Sequence, residues 1–175
     1  MAPVRLTWAR IPTGAPRRDI AWGLLRELIP GAVLSNPCLR CGGPHGPVRV
    51  DGAAVAASVT YAGDYAIAGV VSLCEATALG IDAELAVDPR RDAAGLAGVL
   101  GEGRPADVRA WTRVEAALKA DGRGLRVDPA LVEVTEGVDR WTARVPGRAV
   151  EMPGVDLIGP PGVVVSAAVV SLPSD

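Results

Sequence analysis

The sequence predicts an α+β fold built as two similar α+β subdomains, and three observations carry that prediction. Two helical stretches are separated by long runs with strand character. The strand runs are bounded by Gly, Pro and Asp clusters at hairpin spacing, which favours antiparallel pairing. A faint internal repeat sets Val70-Val71-Ser72-Leu73 against Val169-Val170-Ser171-Leu172, with Gly63 and Gly162 at the matching offset before each. The chain divides into an N-terminal half at 1–84, a connecting segment at 85–106 and a C-terminal half at 107–175, together one compact unit.

In chain order, Val4–Ala9 reads as an edge strand. Arg17, Arg18 and Asp19 open a helix on which Ile20, Leu24 and Leu28 recur at helical spacing, and Pro30-Gly31 stops it. Val55–Tyr61 and Tyr65–Leu73 form a hairpin around Ala62-Gly63-Asp64. Thr77–Leu85 is a further strand. A weak helix lies near Ala93–Leu100. Pro105 suits the first turn of a helix running to about Ala120, ended by Gly122 and Gly124. Leu131–Thr135, Arg140–Val145, Val155–Ile158 and Val163–Leu172 complete the strands.

With 175 residues the chain can bury a real core, and aliphatic side chains must supply it because there is no Phe. The formal net charge of −2 gives no sign of a polycation for nucleic acid or membrane surfaces. Met1 to Arg10 lacks the apolar region of a signal peptide, and no apolar run approaches the roughly 20 residues of a membrane span. Three cysteines are an odd number for a disulfide framework, so a reducing, cytoplasmic setting is the simpler expectation. A monomer is expected.

Two short segments carry the chemistry. In Leu79-Gly80-Ile81-Asp82-Ala83-Glu84, strand alternation puts both carboxylates on one face. In Trp111-Thr112-Arg113-Val114-Glu115-Ala116-Ala117-Leu118-Lys119, Glu115 and Lys119 share a helical face. Val108, Trp111 and Leu118 mark that helix's buried stripe, with Glu115 inside it. Three converging carboxylates repel one another, and a hard cation such as Mg²⁺ resolves the repulsion. Lys119 is the sole lysine, a compact point charge suited to phosphate or to proton transfer. Each segment alone is also what a solvated D-x-E or an ordinary i,i+4 pair would give.

Together the two segments resemble the 4'-phosphopantetheinyl transferases of the surfactin-synthetase-activating type, over about Arg17 to Leu172. Gly80, Ile81, Asp82 and Glu84 fill the first motif; Trp111, Thr112, Glu115, Ala116 and Lys119 fill the second. The resemblance implies two halves related by a pseudo-twofold with coenzyme A in the cleft between them. It implies Mg²⁺ on Asp82, Glu84 and Glu115, with Glu115 accepting the proton of a carrier-protein serine and Lys119 stabilising the leaving phosphate. Arg17, Arg18, Thr60 and Tyr61, with Lys119, would hold the coenzyme. The partner would be an acyl or peptidyl carrier protein docking on Arg90, Arg91 and Leu96, with Val99 and Leu100 extending the apolar patch.

Three positions depart from the family pattern, where Val114 and Pro47 replace basic residues and Tyr61 replaces a histidine. They leave open a second reading, a catalytically weakened module that binds coenzyme A or carrier protein. A third comes from Cys38, Cys41 and His45, whose spacing admits a zinc-stabilised interaction protein, with Cys74 as a possible fourth ligand.

Overall fold

The computed structural model describes residues 3–38, 40–89, 93–101, 103 and 105–173. Strand β1 (Arg5–Arg10) leads into helix α1 (Arg17–Leu28), a short ribbon of β2 (Val33–Ser35) and β3 (Arg49–Asp51), and the hairpin β4 (Val55–Ala62) and β5 (Tyr65–Ser72). Strand β6 (Ala76–Leu85) is followed by α2 (Ala93–Leu100) and α3 (Val108–Asp121). Two 3₁₀ turns then precede β7 (Glu133–Glu136), β8 (Trp141–Arg144), β9 (Met152–Leu157) and β10 (Val163–Ser171). All the strand pairs are antiparallel, in sheets ordered β1-β5-β4 and β6-β10-β9-β8-β7, plus the β2-β3 ribbon. The fold is thus mixed α and β with antiparallel sheets. Among the described residues no helix is long and apolar enough to cross a membrane.

Alternation along the strands sorts the core into three layers of contact. From β5, Ala66, Ala68 and Val70 face α1, packing with Ala21, Leu24 and Leu25. Ile67 and Val71 face the other way, into a cluster with Leu79, Ile81 and Ala83 of β6 and Val165, Ala167 and Val169 of β10. Beyond β10, Ala168 joins Val114, Ala117 and Leu118 of α3, with Trp141 and Met152. Helix, sheet, sheet and helix are therefore stacked in that order. Burying one side chain such as Leu118 contributes about 1.5–3 kcal/mol, and Leu118 is 1% exposed.

Strand β6 precedes α3 in the chain and hydrogen-bonds along β10, so it belongs to the sheet of the later elements. The repeated tetrapeptides both lie where a strand ends, and Gly63 and Gly162 both take positive φ before those strands. Their side chains do not face alike, however. Val70 packs on α1, whereas Val169 packs between the sheets.

Most elements lie where expected; the differences include two added strands, a later start of α3, a start of β9 at Met152 rather than Val155, and a start of β7 at Glu133 rather than Leu131. The strands β2 and β3 are additional; each is three residues long within a Pro- and Gly-rich stretch that lacks alternation. Helix α3 starts at Val108, because the Asp107 side chain accepts a hydrogen bond from the Ala110 N–H at 2.8 Å, a stronger start than Pro105 offers. Its C-terminus is closed as expected by Gly122, at φ 81°. The buried face of α3 is Thr112, Val114, Ala116, Ala117, Leu118 and Ala120, while Val108 and Trp111 are half-buried at its margin.

Helix α3 lies unusually close to β6. A Cβ on Gly80 would fall 2.0 Å from the Ala116 carbonyl oxygen and 2.3 Å from the Ala120 nitrogen. Both are backbone atoms and cannot swing aside. Gly80→Ala is therefore expected to lower stability by about 1–3 kcal/mol, read as a drop in the urea midpoint. A loss below about 0.5 kcal/mol, the range of neutral surface changes, would mean that the helix can retreat freely.

Candidate functional site

The closeness of α3 to Gly80 sets what comes next on the same face of β6. Two residues on, Asp82 points under the helix and is 3% exposed. Its Oδ1 accepts from Lys119 Nζ at 2.6 Å and from Thr60 Oγ1 at 3.3 Å. Lys119 Nζ also reaches Thr60 Oγ1 at 3.4 Å and stands 3.8 Å from Glu115 Oε2. Thr60 arrives from β4, the edge strand of the other sheet, which abuts β6. The same junction is tied by the Ile81 N–H, which donates to Ser58 Oγ at 3.0 Å. Asp82, Glu115, Lys119 and Thr60 thus meet where the two sheets touch beneath α3.

The charges there are not balanced. Two carboxylates, Asp82 and Glu115, meet one ammonium there, and the charge of Glu84 acts on Glu115 as well. The second oxygen of Asp82, Oδ2, is buried and has no hydrogen-bond partner. Buried polar atoms are rarely left so, because the lost hydration is costly. Two things can satisfy such an oxygen, a proton shared with a neighbouring acid or a cation. Burial first, then the charge of Asp82, push the Glu115 carboxyl up to about 7; Lys119 opposes them, and a hydrogen bond to Asp82 and the charge of Glu84 add to the rise. A divalent ion with oxygen ligands suits this donor set, since it neutralises the repulsion and serves the unmet oxygen.

The other residues singled out in the sequence fall into separate places. Thr60 and Tyr61 are consecutive on β4 and leave it on opposite faces. Tyr61 turns to α1, where the Arg17 guanidinium lies over its ring at 4.5 Å from the centroid. Burial raises the Tyr61 phenol above its usual range, and Arg17 and Arg18 offset part of that rise. Arg17, Arg18 and Tyr61 therefore form a basic group at the start of α1, on the far face of β4 from Asp82. Arg90 and Arg91 lie outside the described residues. Leu96 is half-buried, Val99 is exposed, and Leu100 is buried against Val114, which removes Leu100 from any surface patch.

Val114 is also buried, 2% exposed, so that position looks into the core rather than toward Lys119. A groove beside Lys119 is lined by His45, Pro47 and Val48 from the β2–β3 connection and by Ser58, Leu79 and Leu118. Two further cavities among the described residues are lined by other parts of α3, by β7 and by the turn around Arg148, away from Asp82 and Glu115.

One polar network escapes a reading of the sequence. Asp156 of β9 is gripped by Arg113 through Nε at 3.1 Å and Nη2 at 2.8 Å, by Ser166 Oγ at 2.9 Å and by Trp141 Nε1 at 3.2 Å. Burial alone would raise the Asp156 carboxyl; the bonds from Arg113 and Ser166 outweigh it and hold it below the usual range. Ser166 also lies 3.0 Å from Thr112 Oγ1 and sits opposite Asp82 in the β6–β10 ladder. Partners separated by 43 residues in sequence leave no local pattern to find them by.

The Glu115 shift makes a pH-dependent stability. The folded protein holds this proton more tightly than the unfolded chain does, so stability falls as pH rises from about 4.5 to about 7 and levels off above. Unfolding midpoints measured with chelator across this window should fall more for wild type than for Glu115→Gln. Parallel profiles for the two proteins would remove Glu115 as the titrating group.

Compared with models of known protein families, the chain matches none, and a comparison with curated proteins likewise finds no match.

Proposed function

We propose that this chain is a 4'-phosphopantetheinyl transferase, moving the phosphopantetheine arm of coenzyme A to a serine of an acyl or peptidyl carrier protein. The observation that carries the reading is the meeting of Asp82, Glu115 and Lys119 from the two motifs at one buried point, with Asp82 Oδ2 unsatisfied. Asp82, Glu84 and Glu115 are the residues that would hold Mg²⁺. The ion would supply charge neutralisation on the pyrophosphate of the coenzyme.

The chain's own groups do the rest. The serine oxygen forms a bond to the phosphorus bearing the pantetheine arm, and the bond from that phosphorus to the bridging oxygen breaks, releasing adenosine 3',5'-bisphosphate. Glu115, with its affinity for a proton raised, accepts the serine proton directly or through water. Lys119, now paired with Asp82, is the cation placed to stabilise charge on the leaving phosphate. Phosphoryl-type transfer needs positioning and charge stabilisation more than covalent chemistry, which suits so small a set of residues.

The nucleotide end of the coenzyme would lie in the groove beside Lys119 and between two similar halves related by a pseudo-twofold. One helix packed on each sheet supports that symmetry; the opposed facing of Val70 and Val169 gives the repeated tetrapeptide no part in it. A weakened, binding-only module is less favoured, because Val114 lies in the core and removes no cation from the groove.

Mass gain of several carrier proteins with coenzyme A and Mg²⁺ tests the activity directly. Asp82→Ala should abolish transfer while the protein stays folded by circular dichroism. Glu115→Gln should cost about 10²–10⁴ in rate, the usual worth of a positioned base. A folded Asp82→Ala protein with full activity would refute the site assignment, and a loss below about threefold in Glu115→Gln would place the base elsewhere.

A further inference from the structure

We propose that Cys38, Cys41 and His45 form a zinc-binding loop that braces one wall of the groove beside Lys119. The ligating atoms of these three residues all lie within 4.8 Å of one another, and Cys41 Sγ is 3.0 Å from His45 Nε2. In a tetrahedral zinc site a sulfur and a nitrogen ligand stand about 3.5 Å apart, so small side-chain rotations would admit the ion. Two thiolates and an imidazole in that arrangement select zinc over hard cations such as Mg²⁺ or Ca²⁺.

The backbone around the ligands is already shaped for a metal. The Cys38 N–H donates to the Gly43 carbonyl at 2.8 Å, and the Gly42 N–H donates to the Cys38 carbonyl at 2.8 Å, closing a tight turn through both cysteines. The rest of the loop folds onto its own start. The Gly46 N–H donates to the Asn36 carbonyl at 2.8 Å, Asn36 Nδ2 donates to the Pro44 carbonyl at 2.9 Å, and a Cβ at Gly46 would strike the Pro37 carbonyl at 2.2 Å. The β2–β3 ribbon, with Ser35 opposite Arg49, clamps both ends.

Cys41 and His45 are exposed and Cys38 partly so, which gives an entry path for the ion. Three protein ligands fill three tetrahedral positions and leave the fourth to water or an added ligand. Binding displaces the two thiol protons to solvent, so affinity should rise with pH. His45, Pro47 and Val48 line the groove that also takes in Lys119. Metal at the loop would therefore fix that wall, and the site stands whether or not the transferase reading does.

Elemental analysis of protein purified under reducing conditions without chelator should find about one zinc per chain, held by two thiolates and an imidazole. Cobalt titration of the stripped protein should give sulfur-to-cobalt charge-transfer absorption and the intense visible bands of tetrahedral cobalt. Cys41→Ser and His45→Ala should each weaken zinc binding at least tenfold, while Asp82→Ala should keep it. The cobalt spectrum of the unmutated chain settles the matter if those variants do not fold. Zinc below about a tenth of an equivalent with no cobalt–thiolate band would overturn the proposal. So would an intact mass showing a Cys38–Cys41 disulfide in place of metal.

Discussion

The approach of α3 to β6 is the constraint on which the candidate site depends. Only a residue without a side chain allows the Ala116–Ala120 turn to lie against the strand, and Gly80 is that residue. Because side chains alternate along a strand, the closeness at Gly80 puts Asp82 beneath the same helix one step later. Because residues four apart share a helical face, it also brings Glu115 and Lys119 down together. A glycine, a strand period and a helix period thus set the distances among three functional groups without any loop holding them. Sites carried on regular elements are held more precisely than sites on loops.

The second constraint is that two sheet edges meet. Strand β4 ends one sheet and β6 ends the other, and exposed edges with unpaired backbone groups are a liability. Here the Ser58 hydroxyl takes the Ile81 N–H, and the Thr60 hydroxyl bonds Asp82. Small polar side chains on β4 thereby cover the free edge of β6 and furnish part of the site. This gives Thr60 a role that its position in the chain did not suggest. It touches the carboxylate cluster directly, while its neighbour Tyr61 belongs to the group around Arg17.

Much of this was legible from local pattern. The hairpin of β4 and β5, the D-x-E strand and the Glu115–Lys119 pair follow from periods of two and of three to four residues, and these are properties of neighbours in sequence. What could not be read depends on distant partners. The pairing of β6 with β10, the meeting of β4 with β6, and the grip of Arg113 on Asp156 all join residues far apart in the chain. Ribbon strands of three residues have too few positions to show alternation. Trp111 read as a core residue because it is large and apolar; the helix rotates it to the margin, since Ala116 and Ala120 must face Gly80. The spacing of Cys38, Cys41 and His45 suggested a metal, but their convergence rests on hydrogen bonds across the Gly42-Gly43 turn.

Two acids on the same sheet, Asp156 half-buried and Asp82 buried, show how structural and functional polar groups differ. Asp156 has four donors on its two oxygens, from an arginine fork, a hydroxyl and an indole. Its charge is fully met inside the protein, which makes it a tie between α3 and strands β8 to β10. Removing the Arg113 fork would leave this half-buried charge short of its main partner, a destabilising change. Asp82 is the more deeply buried of the two and takes donors on one oxygen only. Beside it burial and the charge of Asp82 push the Glu115 carboxyl up to about 7, against the pull of Lys119. A network left incomplete in this way stores unfavourable electrostatics that an incoming cation would relieve. Both acids lie opposite Ser166, Asp82 across the β6–β10 ladder and Asp156 across the β9–β10 ladder, and Ser166 donates its hydroxyl to Asp156. The satisfied acid holds the helix in place, and the unsatisfied one is thereby kept aimed at the point where positive charge is missing.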